Sequence, residues 1–458
     1  MAGEKPNEDG LTEVDLFLQR YPDTRFIDAV LIDMCGIARG KRIPVSELPT
    51  LFTQGLSVTA SLYALDATGD QLDIMGRGFS DGDPDGTAIP VPGTLAPMPW
   101  AGSEHGQVLL HLDEQPGSAE MIDPRNILAT VVAAFSARGL TPVVACELEF
   151  YLIDRIRTAN GHPQPPPLPG TDRRDRLNQV YSFDTLDYFR DFLDRLQEWA
   201  EMQAIPTSAA SAEFAPAQFE VNLEHQSSAL RAADHAALFR RLVKSAAIHN
   251  EMEATFHPKP YPEQAGSGFH VHISLLDKAG RNIFAGQGEK GSEALRHAIA
   301  GLCAALPETM AICVPNVGGF RRFEPDLFVP LSACWGYNNR SVAVRVPPGP
   351  DTARRLEHRV ACADANPYLL LAALLAGILY GLDAQLDPGP DITGRRPGSA
   401  GSGKLPLTPW DALSALDRAT ILPRYLPQAY LGFYAEAKRR ELEKFIKAPG
   451  VREYAWYL

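Results

Sequence analysis

Residues 146–152 read Cys146-Glu147-Leu148-Glu149-Phe150-Tyr151-Leu152, and acidic or polar side chains alternate there with apolar ones. Successive residues of a β-strand point to opposite faces of a sheet, so this pattern predicts a strand with one packed face and one polar face. Four later segments alternate in the same way: Gln218-Phe219-Glu220-Val221-Asn222-Leu223-Glu224, Phe269-His270-Val271-His272-Ile273-Ser274-Leu275, Ser341-Val342-Ala343-Val344-Arg345-Val346 and Leu356-Glu357-His358-Arg359-Val360.

The composition of the polar faces separates two interpretations of these five segments. A solvated sheet face explains any single alternating strand, and such faces usually mix Thr, Ser, Lys and Arg. Here the polar positions hold Glu, His, Arg, Asn and Gln, which are side chains that bind metal ions and anions. Five strands of this kind in one chain therefore favour a curved sheet whose polar faces line a single cavity.

Between the strands, apolar residues recur at helical spacing, as in Leu186, Phe189 and Leu193, which predicts an α+β fold. Nearer the N-terminus, residues 24–45 predict two strands joined by a glycine-containing turn. The expected divisions are a disordered leading segment at 1–20, a small β-rich domain at 21–118 and a large catalytic domain at 119–458. We expect the large domain to hold a curved antiparallel sheet flanked by helices.

Charge and cysteine content exclude several classes of partner. The 458 residues carry 43 Lys and Arg against 56 Asp and Glu, a formal net charge of −13. This balance argues against a nucleic-acid partner and against docking on an anionic membrane. The six cysteines are scattered, and no signal peptide is evident, so we expect reduced thiols and a cytoplasmic protein. The apolar stretch at 367–382 is too short for a membrane span and predicts a buried helix.

The carboxylates and the arginines predict the chemistry of the cavity. Several carboxylates raise one another's pKa when they share a buried space, and bound cations relieve this repulsion. A set rich in oxygen ligands and poor in imidazoles suits Mg²⁺ or Mn²⁺ better than Zn²⁺. Guanidinium groups at Arg322, Arg340, Arg345 and Arg359 complement phosphate and carboxylate oxygens. Together these groups indicate phosphoryl transfer from a nucleotide, although the chain has neither a P-loop nor a Rossmann fingerprint.

Three motifs identify the family that this chain resembles. Residues 266–275 read Gly-Ser-Gly-Phe-His-Val-His-Ile-Ser-Leu and resemble the ATP-site motif of glutamine synthetases. Residues 339–347 resemble the Asn-Arg-Ser strand of that family, and residues 353–359, followed by 365–369, resemble its last metal and glutamate motif. The motifs occur in family order, and the similarity runs from about Phe26 to the C-terminus.

The resemblance implies the metal ligands and the fold. It implies a small N-terminal β-grasp domain and two or three Mg²⁺ or Mn²⁺ ions per site. One ion would be held by Glu149, Glu213 and Glu220, and a second by Glu147, His270 and Glu357.

The resemblance also implies the substrate contacts and the reaction. Glutamate would lie against Gly266, Arg322 and Arg359, phosphates against Arg340 and Arg345, and the nucleotide against His272 and Ser274. ATP would phosphorylate the γ-carboxylate of glutamate, and an amine would then displace the phosphate.

At the ammonium site the chain departs from glutamine synthetases. Residues 55–62, where those enzymes carry an acid, hold Thr59 and no acid, and the acid of their glutamate flap is replaced by Phe328. These changes indicate a γ-glutamyl-amine ligase, a branch that includes γ-glutamylputrescine and γ-glutamylpolyamine synthetases. Glu324 or Asp326 is the candidate base that deprotonates the amine. A glutamine synthetase with a rearranged ammonium site and a non-catalytic homologue remain the alternatives.

The C-terminus bears on assembly. An amphipathic helix with Tyr430, Phe433 and Tyr434 precedes an apolar tail at 451–458. Burial of this tail in a partner would fit the homo-oligomer that the resemblance implies, a dodecamer of two hexameric rings. Packing on its own subunit is the equally weighted alternative.

Overall fold

The structure is a computed structural model, and it describes residues 11–74, 80–115, 117–118, 120–175, 177–286, 290–325, 327–394 and 403–448. Its α-helices are α1 (Glu13–Arg20), α2 (Leu48–Gln54), α3 (Pro124–Ala137), α4 (Phe183–Tyr188), α5 (Arg190–Met202), α6 (Ala229–His249), α7 (Glu293–Cys313), α8 (Val317–Phe320), α9 (Pro367–Asp383), α10 (Pro409–Asp417) and α11 (Gln428–Lys447). Its strands are β1 (Phe26–Ile32), β2 (Ala38–Pro44), β3 (Leu56–Thr59), β4 (Asp85–Pro90), β5 (Ala96–Pro97), β6 (His105–Leu112), β7 (Thr141–Asp154), β8 (Thr207–Ala212), β9 (Gln218–Leu223), β10 (Met252–Thr255), β11 (Phe269–Leu276), β12 (Trp335–Tyr337), β13 (Val344–Val346) and β14 (Leu356–His358).

The N-terminal part forms a small mixed sheet with the strand order β2-β1-β6-β4-β3, and β5 pairs with β6. Strands β1 and β6 run parallel to each other, and every other pair of neighbouring strands in this sheet is antiparallel. Gly40 lies in β2 where it pairs with β1. A glycine is required there because a Cβ would lie 1.8 Å from the carbonyl oxygen of Ala29. The predicted small β-rich domain is therefore confirmed.

The leading segment is ordered over part of its length, so the prediction of disorder for residues 1–20 is wrong for residues 13–20. These residues form α1, which begins with a reciprocal capping box. The Asp15 amide donates to Oγ1 of Thr12 at 3.2 Å, and the Thr12 amide donates to Oδ2 of Asp15 at 3.0 Å. Val14 and Phe17 are buried in the core of the small sheet, and this burial holds the helix in place. Residues 1–10 lie outside the described residues.

The large domain contains a curved eight-stranded sheet with the order β12-β13-β14-β11-β7-β9-β8, and β10 pairs with β7. All of these pairs are antiparallel except β12 with β13. Helices α3 and α6 pack on β7, and α9 packs against both α3 and α7. The apolar face of β7, with Cys146, Leu148 and Phe150, belongs to the core that these helices cover. This arrangement confirms the predicted α+β class.

Helix α9 confirms the buried helix predicted from residue 367 onwards. Its side chains are buried almost all round, and Asn366 caps its N-terminus by accepting from the amides of Tyr368 and Leu369. The contact with α7 is close, because a Cβ on Gly301 would lie 2.1 Å from the carbonyl oxygen of Gly377. Among the described residues, no helix is long and apolar enough to cross a membrane.

The C-terminal helix packs on its own subunit. Phe433 and Ala437 of α11 are buried in the core of the N-terminal sheet. The hydroxyl of Tyr434 donates to the carbonyl oxygen of Ala311 in α7 at 3.0 Å. Helix α11 therefore joins the two domains. The apolar tail at 451–458 lies outside the described residues, so its prediction stays untested.

Candidate active site

Strand register brings the predicted metal ligands onto one face of the large sheet. Glu147 of β7 lies opposite Asn222 of β9 and opposite His270 of β11. Glu149 lies opposite Glu220. Directly opposed residues in antiparallel strands share a face and lie about 4.5–5.5 Å apart at Cβ. The alternation in each strand therefore places all five side chains in one cluster, as the sequence predicts.

A second row continues this face towards the sheet edge. His272 of β11 lies opposite Glu357 of β14, which in turn lies opposite Arg345 of β13. Arg345 donates to Oε2 of Glu357 at 2.7 Å, and Arg359 forms an ion pair with Oε1 of the same carboxylate. Only 1% of the Glu357 side chain is exposed. One buried carboxylate thus holds two guanidinium groups at the edge of the cluster.

Glu147 occupies the centre of the cluster. Its Oε1 lies 2.8 Å from Nε2 of His272, and its Oε2 lies 3.3 Å from Nδ1 of His270. The same His270 nitrogen lies 3.8 Å from Oε2 of Glu220. The Nε2 atom of His270 lies 3.9 Å from Oε1 of Glu149. Three strand carboxylates therefore surround the imidazole ring of His270 and offer ligand atoms to a shared cation.

The loop that carries Gly266 and Gly268, called the glycine loop below, brings the cluster close to Arg322, the arginine predicted to bind glutamate. The Gly268 amide donates to Oε2 of Glu149 at 2.8 Å. A Cβ on Gly268 would lie 3.0 Å from a terminal nitrogen of Arg322 and 3.1 Å from Nε2 of His270. A Cβ on Gly266 would lie 2.5 Å from Cγ of Arg322. The absence of side chains at both glycines is therefore what lets Arg322 approach the carboxylates.

The charges of the cluster are unbalanced without a cation. Burial, together with the charges of Glu147, Glu149 and Glu213, raises the pKa of Glu220 to about 9. Burial and the charge of Glu149 raise the pKa of Glu213 to about 7. Burial also disfavours ionisation of Glu147, but hydrogen bonds from His270 and His272 outweigh it and hold the pKa of Glu147 well below its usual range. Protons or cations must therefore neutralise part of this set near neutral pH.

The donor set fits divalent cations. Ligand atoms of Glu147, Glu220 and His270 all lie within 4.8 Å of one another, and so do those of Glu147, His272 and Glu357. Carboxylate oxygens dominate both groups, as Mg²⁺ and Mn²⁺ prefer. His272, which the sequence predicts at the nucleotide end, joins the second group. Glu149 lies next to the first group, with its Oε1 atom 3.9 Å from Nε2 of His270. The charge of Glu149 in turn raises the pKa of Glu213, so these two carboxylates interact as well.

A cavity of about 930 Å³ opens beside the second group and is lined by His272 and Ser274. Asn222 and Arg355 also line it. The Nε atom of Arg355 lies 3.3 Å from Nδ1 of His272. The size of the cavity and its mixture of donors and acceptors suit a nucleotide. The structure thus brings His272 and Ser274, the two residues predicted to contact the nucleotide, together in one cavity.

Arg340 lies at the margin of the cluster, whereas Glu324 pairs with a residue outside it. Arg340 is exposed, and its carbonyl oxygen accepts a hydrogen bond from Nε of Arg359 at 3.3 Å. Its charge nevertheless lowers the pKa of Glu213, although burial and Glu149 dominate that group. Glu324 forms an ion pair with the buried Lys259. Asp326 lies outside the described residues.

Sequence reasoning missed Arg355 and Lys259. Arg355 had a readable signal, because it stands two residues before Glu357 and four before Arg359 and therefore shares their face of the strand. Lys259 follows no periodic pattern, and its partner Glu324 is distant in sequence. Only the fold brings these two residues together.

Comparisons with known proteins agree with this geometry. The family description "Glutamine synthetase, catalytic domain" matches residues 121–457. The gamma-glutamylputrescine synthetase PuuA of Escherichia coli (strain K12) is 43% identical over 446 residues, covering 97% of this chain and 94% of that protein. A glutamate–isopropylamine ligase of Pseudomonas sp is 29% identical and covers 99% of this chain and 98% of that protein.

Solved structures extend the similarity to the fold. A GmaS/ADP complex in its first conformation superposes with a TM-score of 0.84 at 27% identity. The match covers 98% of this chain and 99% of that chain. Family enzymes use ATP and divalent metal ions, which agrees with the carboxylate and imidazole groups of the sheet face. The chain belongs to the glutamine synthetase family.

Proposed function

We propose that this chain joins the γ-carboxylate of glutamate to an alkyl diamine of the putrescine type, with ATP as the phosphoryl donor and Mg²⁺ or Mn²⁺ at the site. The family and the named relatives make the chain an ATP-dependent glutamate–amine ligase, as the sequence predicts. The observation that supports the proposed reaction best is the sheet face itself. It sets a carboxylate and imidazole cluster beside buried guanidinium groups and a nucleotide-sized cavity.

The cluster of Glu147, Glu220, His270 and Glu357, with Glu149 beside it, would hold the divalent ions. When bound, such ions neutralise phosphate oxygens and polarise the phosphoryl group. The residues themselves supply preorganised negative charge on rigid strands, so little rearrangement accompanies metal binding. Glu213 completes the predicted ligand set at the end of β8.

The glutamate side of the site uses Arg322, Arg359 and Gly266. Both guanidinium groups are buried, at 3% and 5% exposure, and buried Arg forks bind carboxylates more strongly than exposed ones. The missing side chain of Gly266 leaves room beside Arg322. A glutamate held by these groups would lie beside the metal cluster, whose Glu147 also lines the nucleotide-sized cavity.

The phosphate side uses Arg345 and Arg340. Arg345 is fixed by Glu357 and by Oδ1 of Asn338, which accepts from it at 3.0 Å. Arg340 is exposed, so its guanidinium group would be accessible to a phosphate. His272 and Ser274 would contact the nucleotide. These groups stabilise the charge that develops during phosphoryl transfer.

The amine side favours an alkyl chain over ammonium. Phe328 is 71% exposed, so its ring is available to a ligand rather than packed in the core. Burial of one CH₂ group against such a surface contributes about 0.8 kcal/mol. Ammonium instead needs several converging acceptors, ideally carboxylates, and neither Thr59 nor Phe328 supplies a carboxylate. Asp326 stays a prediction for the base, whereas the carboxylate of Glu324 is engaged by Lys259.

The assembly expected for this function is a homo-oligomer, and we propose the dodecamer of two hexameric rings that the family resemblance implies. Static light scattering on the purified full chain would test it, and a monomer at micromolar concentration would contradict it.

The activity is tested by phosphate release with ATP, Mg²⁺ and glutamate, with putrescine added or omitted. We expect release only when both glutamate and the diamine are present, and a γ-glutamyl amide identified by mass spectrometry. Release with ammonium in place of the diamine, at higher efficiency, would favour a glutamine synthetase. No release with any amine would indicate the non-catalytic homologue.

A further inference from the structure

A buried cation lies under the loop that carries Arg322. Lys259 stands between β10 and the glycine loop, and only 2% of its side chain is exposed. Its Nζ atom lies 3.4 Å from Oε1 of Glu324, two residues after Arg322. The Glu324 side chain remains 52% exposed. The ion pair therefore ties a surface loop to a fixed and buried charge.

The backbone couples this ion pair to the residues on the glutamate side. The Ser267 amide donates to the carbonyl oxygen of Pro258, the neighbour of Lys259, at 2.9 Å. A Cβ on Gly266 would lie 2.7 Å from that carbonyl oxygen and 2.5 Å from Cγ of Arg322. The backbone at Gly266 is therefore packed closely between Pro258 and Arg322. The Glu324 amide donates to the carbonyl oxygen of Arg322 at 2.9 Å, forming a tight turn. Movement of Glu324 would therefore move Arg322.

The ion pair also lies apart from the metal cluster. Lys259 and Glu324 both line a cavity of about 790 Å³, together with Arg157 and Phe323. None of the six predicted metal ligands lines this cavity in the described part of the chain. The Glu324 carboxylate therefore pairs with a buried cation outside the metal cluster.

We propose that Lys259 and Glu324 form a latch that positions Arg322 for glutamate, which makes both of them positioning residues. A buried ammonium group without a counter-charge is strongly disfavoured, so Lys259 draws Glu324, and with it the loop, onto the protein. This role takes the place of the predicted role of Glu324 as the base. The inference rests on the proposed function only in taking glutamate as the ligand of Arg322.

Steady-state kinetics test the latch. Lys259→Met removes the cation at similar length, and Glu324→Gln removes the charge of its partner. Each variant is expected to raise KM for glutamate about tenfold, equivalent to about 1.4 kcal/mol, with kcat largely kept. The double variant should be no worse than either single one, because the two residues act as one unit. Lys259→Arg should restore most of the affinity.

Glu253→Gln is the matched control. Its partner Arg157 lines the same cavity, but Glu253 pairs with Arg157 and not with a residue of the Arg322 loop, so KM should stay unchanged. Wild-type KM values in both Lys259→Met and Glu324→Gln would overturn the latch. A fall in kcat of about a hundredfold in Glu324→Gln with KM unchanged would also overturn it and would make Glu324 the base.

Limited proteolysis tests the latch without any substrate. Chymotrypsin cleavage after the exposed Phe328 reports whether the loop is held down. Cleavage should be faster in Lys259→Met than in the wild type or in Glu253→Gln, and equal rates would contradict the latch. This result stands even if glutamate proves not to be the substrate, so the latch and the proposed function fail separately.

Discussion

Two regions of this protein are built in different ways. One is the proposed metal face, the sheet face that carries the candidate metal ligands, and the other is the proposed amine side, at Thr59 and Phe328. Glu147, His272 and Glu357 stand on paired strands, and the register of the sheet sets their spacing. Thr59 ends a strand of the small domain, and Phe328 projects from a loop with 71% of its surface exposed. Under the proposed function, phosphoryl chemistry would reside on the paired strands of the core, whereas amine choice would reside where substitutions cost little stability.

If the contrast holds, the largest effect should come from Glu357→Gln. The substitution leaves Arg345 and Arg359 buried around an uncharged amide, so unfolding should become easier by about 3 kcal/mol. Turnover should fall by about 10³-fold or more, because a candidate metal ligand is lost at the same time. Phosphate release and thermal unfolding measure the two effects.

Asp383→Asn is the control for this variant, since it breaks a half-exposed pair with Arg138 and should change both quantities little. His270→Asn should lower turnover with less effect on stability, because His270 does not neutralise buried arginines. Wild-type turnover in either metal-face variant at saturating Mg²⁺ would contradict the assignment.

Most of the metal face could be predicted from the sequence because period-two alternation fixes which side chains share a face. It placed Glu147, Glu149, Glu220, His270 and Glu357 together, as observed. Alternation does not predict pairing between residues that are distant along the chain. The ion pair of Lys259 with Glu324 depends on the path of two loops, and no local pattern encodes that path.

The boundaries of the domains were also only partly predictable. Helix α1 was missed because its capping box, Thr12 to Asp15, is a short signal that a polar leading segment easily conceals. The packing of Phe433 on the N-terminal sheet brings α11 to the small domain, far from its position in the sequence. Tertiary burial, not local propensity, decides both features.

The next effect concerns pH and metal binding. Glu220 and Glu213 have folded-state pKa values of about 9 and about 7, against 4.5 ordinarily. Because the folded state binds these protons more tightly, their contribution to stability is full below about pH 4.5 and is lost as pH rises towards 9. The Tm in a chelator should therefore fall between about pH 5.5 and 8.5.

Mg²⁺ replaces the lost protons, so it should raise the Tm more at the higher pH than at the lower one. Differential scanning fluorimetry at the two pH values, with and without Mg²⁺, measures this difference. An equal rise at both values would indicate that the ion binds away from the carboxylate cluster.

The smallest effect should come from the amine side. Phe328→Asp places a carboxylate where the chain has an exposed ring, and it should raise the efficiency with ammonium relative to the diamine by about fivefold. Stability should stay within about 0.5 kcal/mol, because the position is exposed. Phe445→Asp, at a similarly exposed aromatic residue of α11, is the control and should leave the ratio unchanged.

The most direct test of the account is kcat/KM for ammonium and for a series of mono-, di- and polyamines, measured on the wild-type chain with glutamate, ATP and Mg²⁺. A substituted amine must still lose a proton before attack, since primary alkyl amines have a pKa of about 10, like lysine. The comparison should therefore be made at one alkaline pH. We predict that a putrescine-type diamine exceeds ammonium by at least about tenfold. An ammonium value above that of every amine in the series would contradict the account and would make the chain a glutamine synthetase.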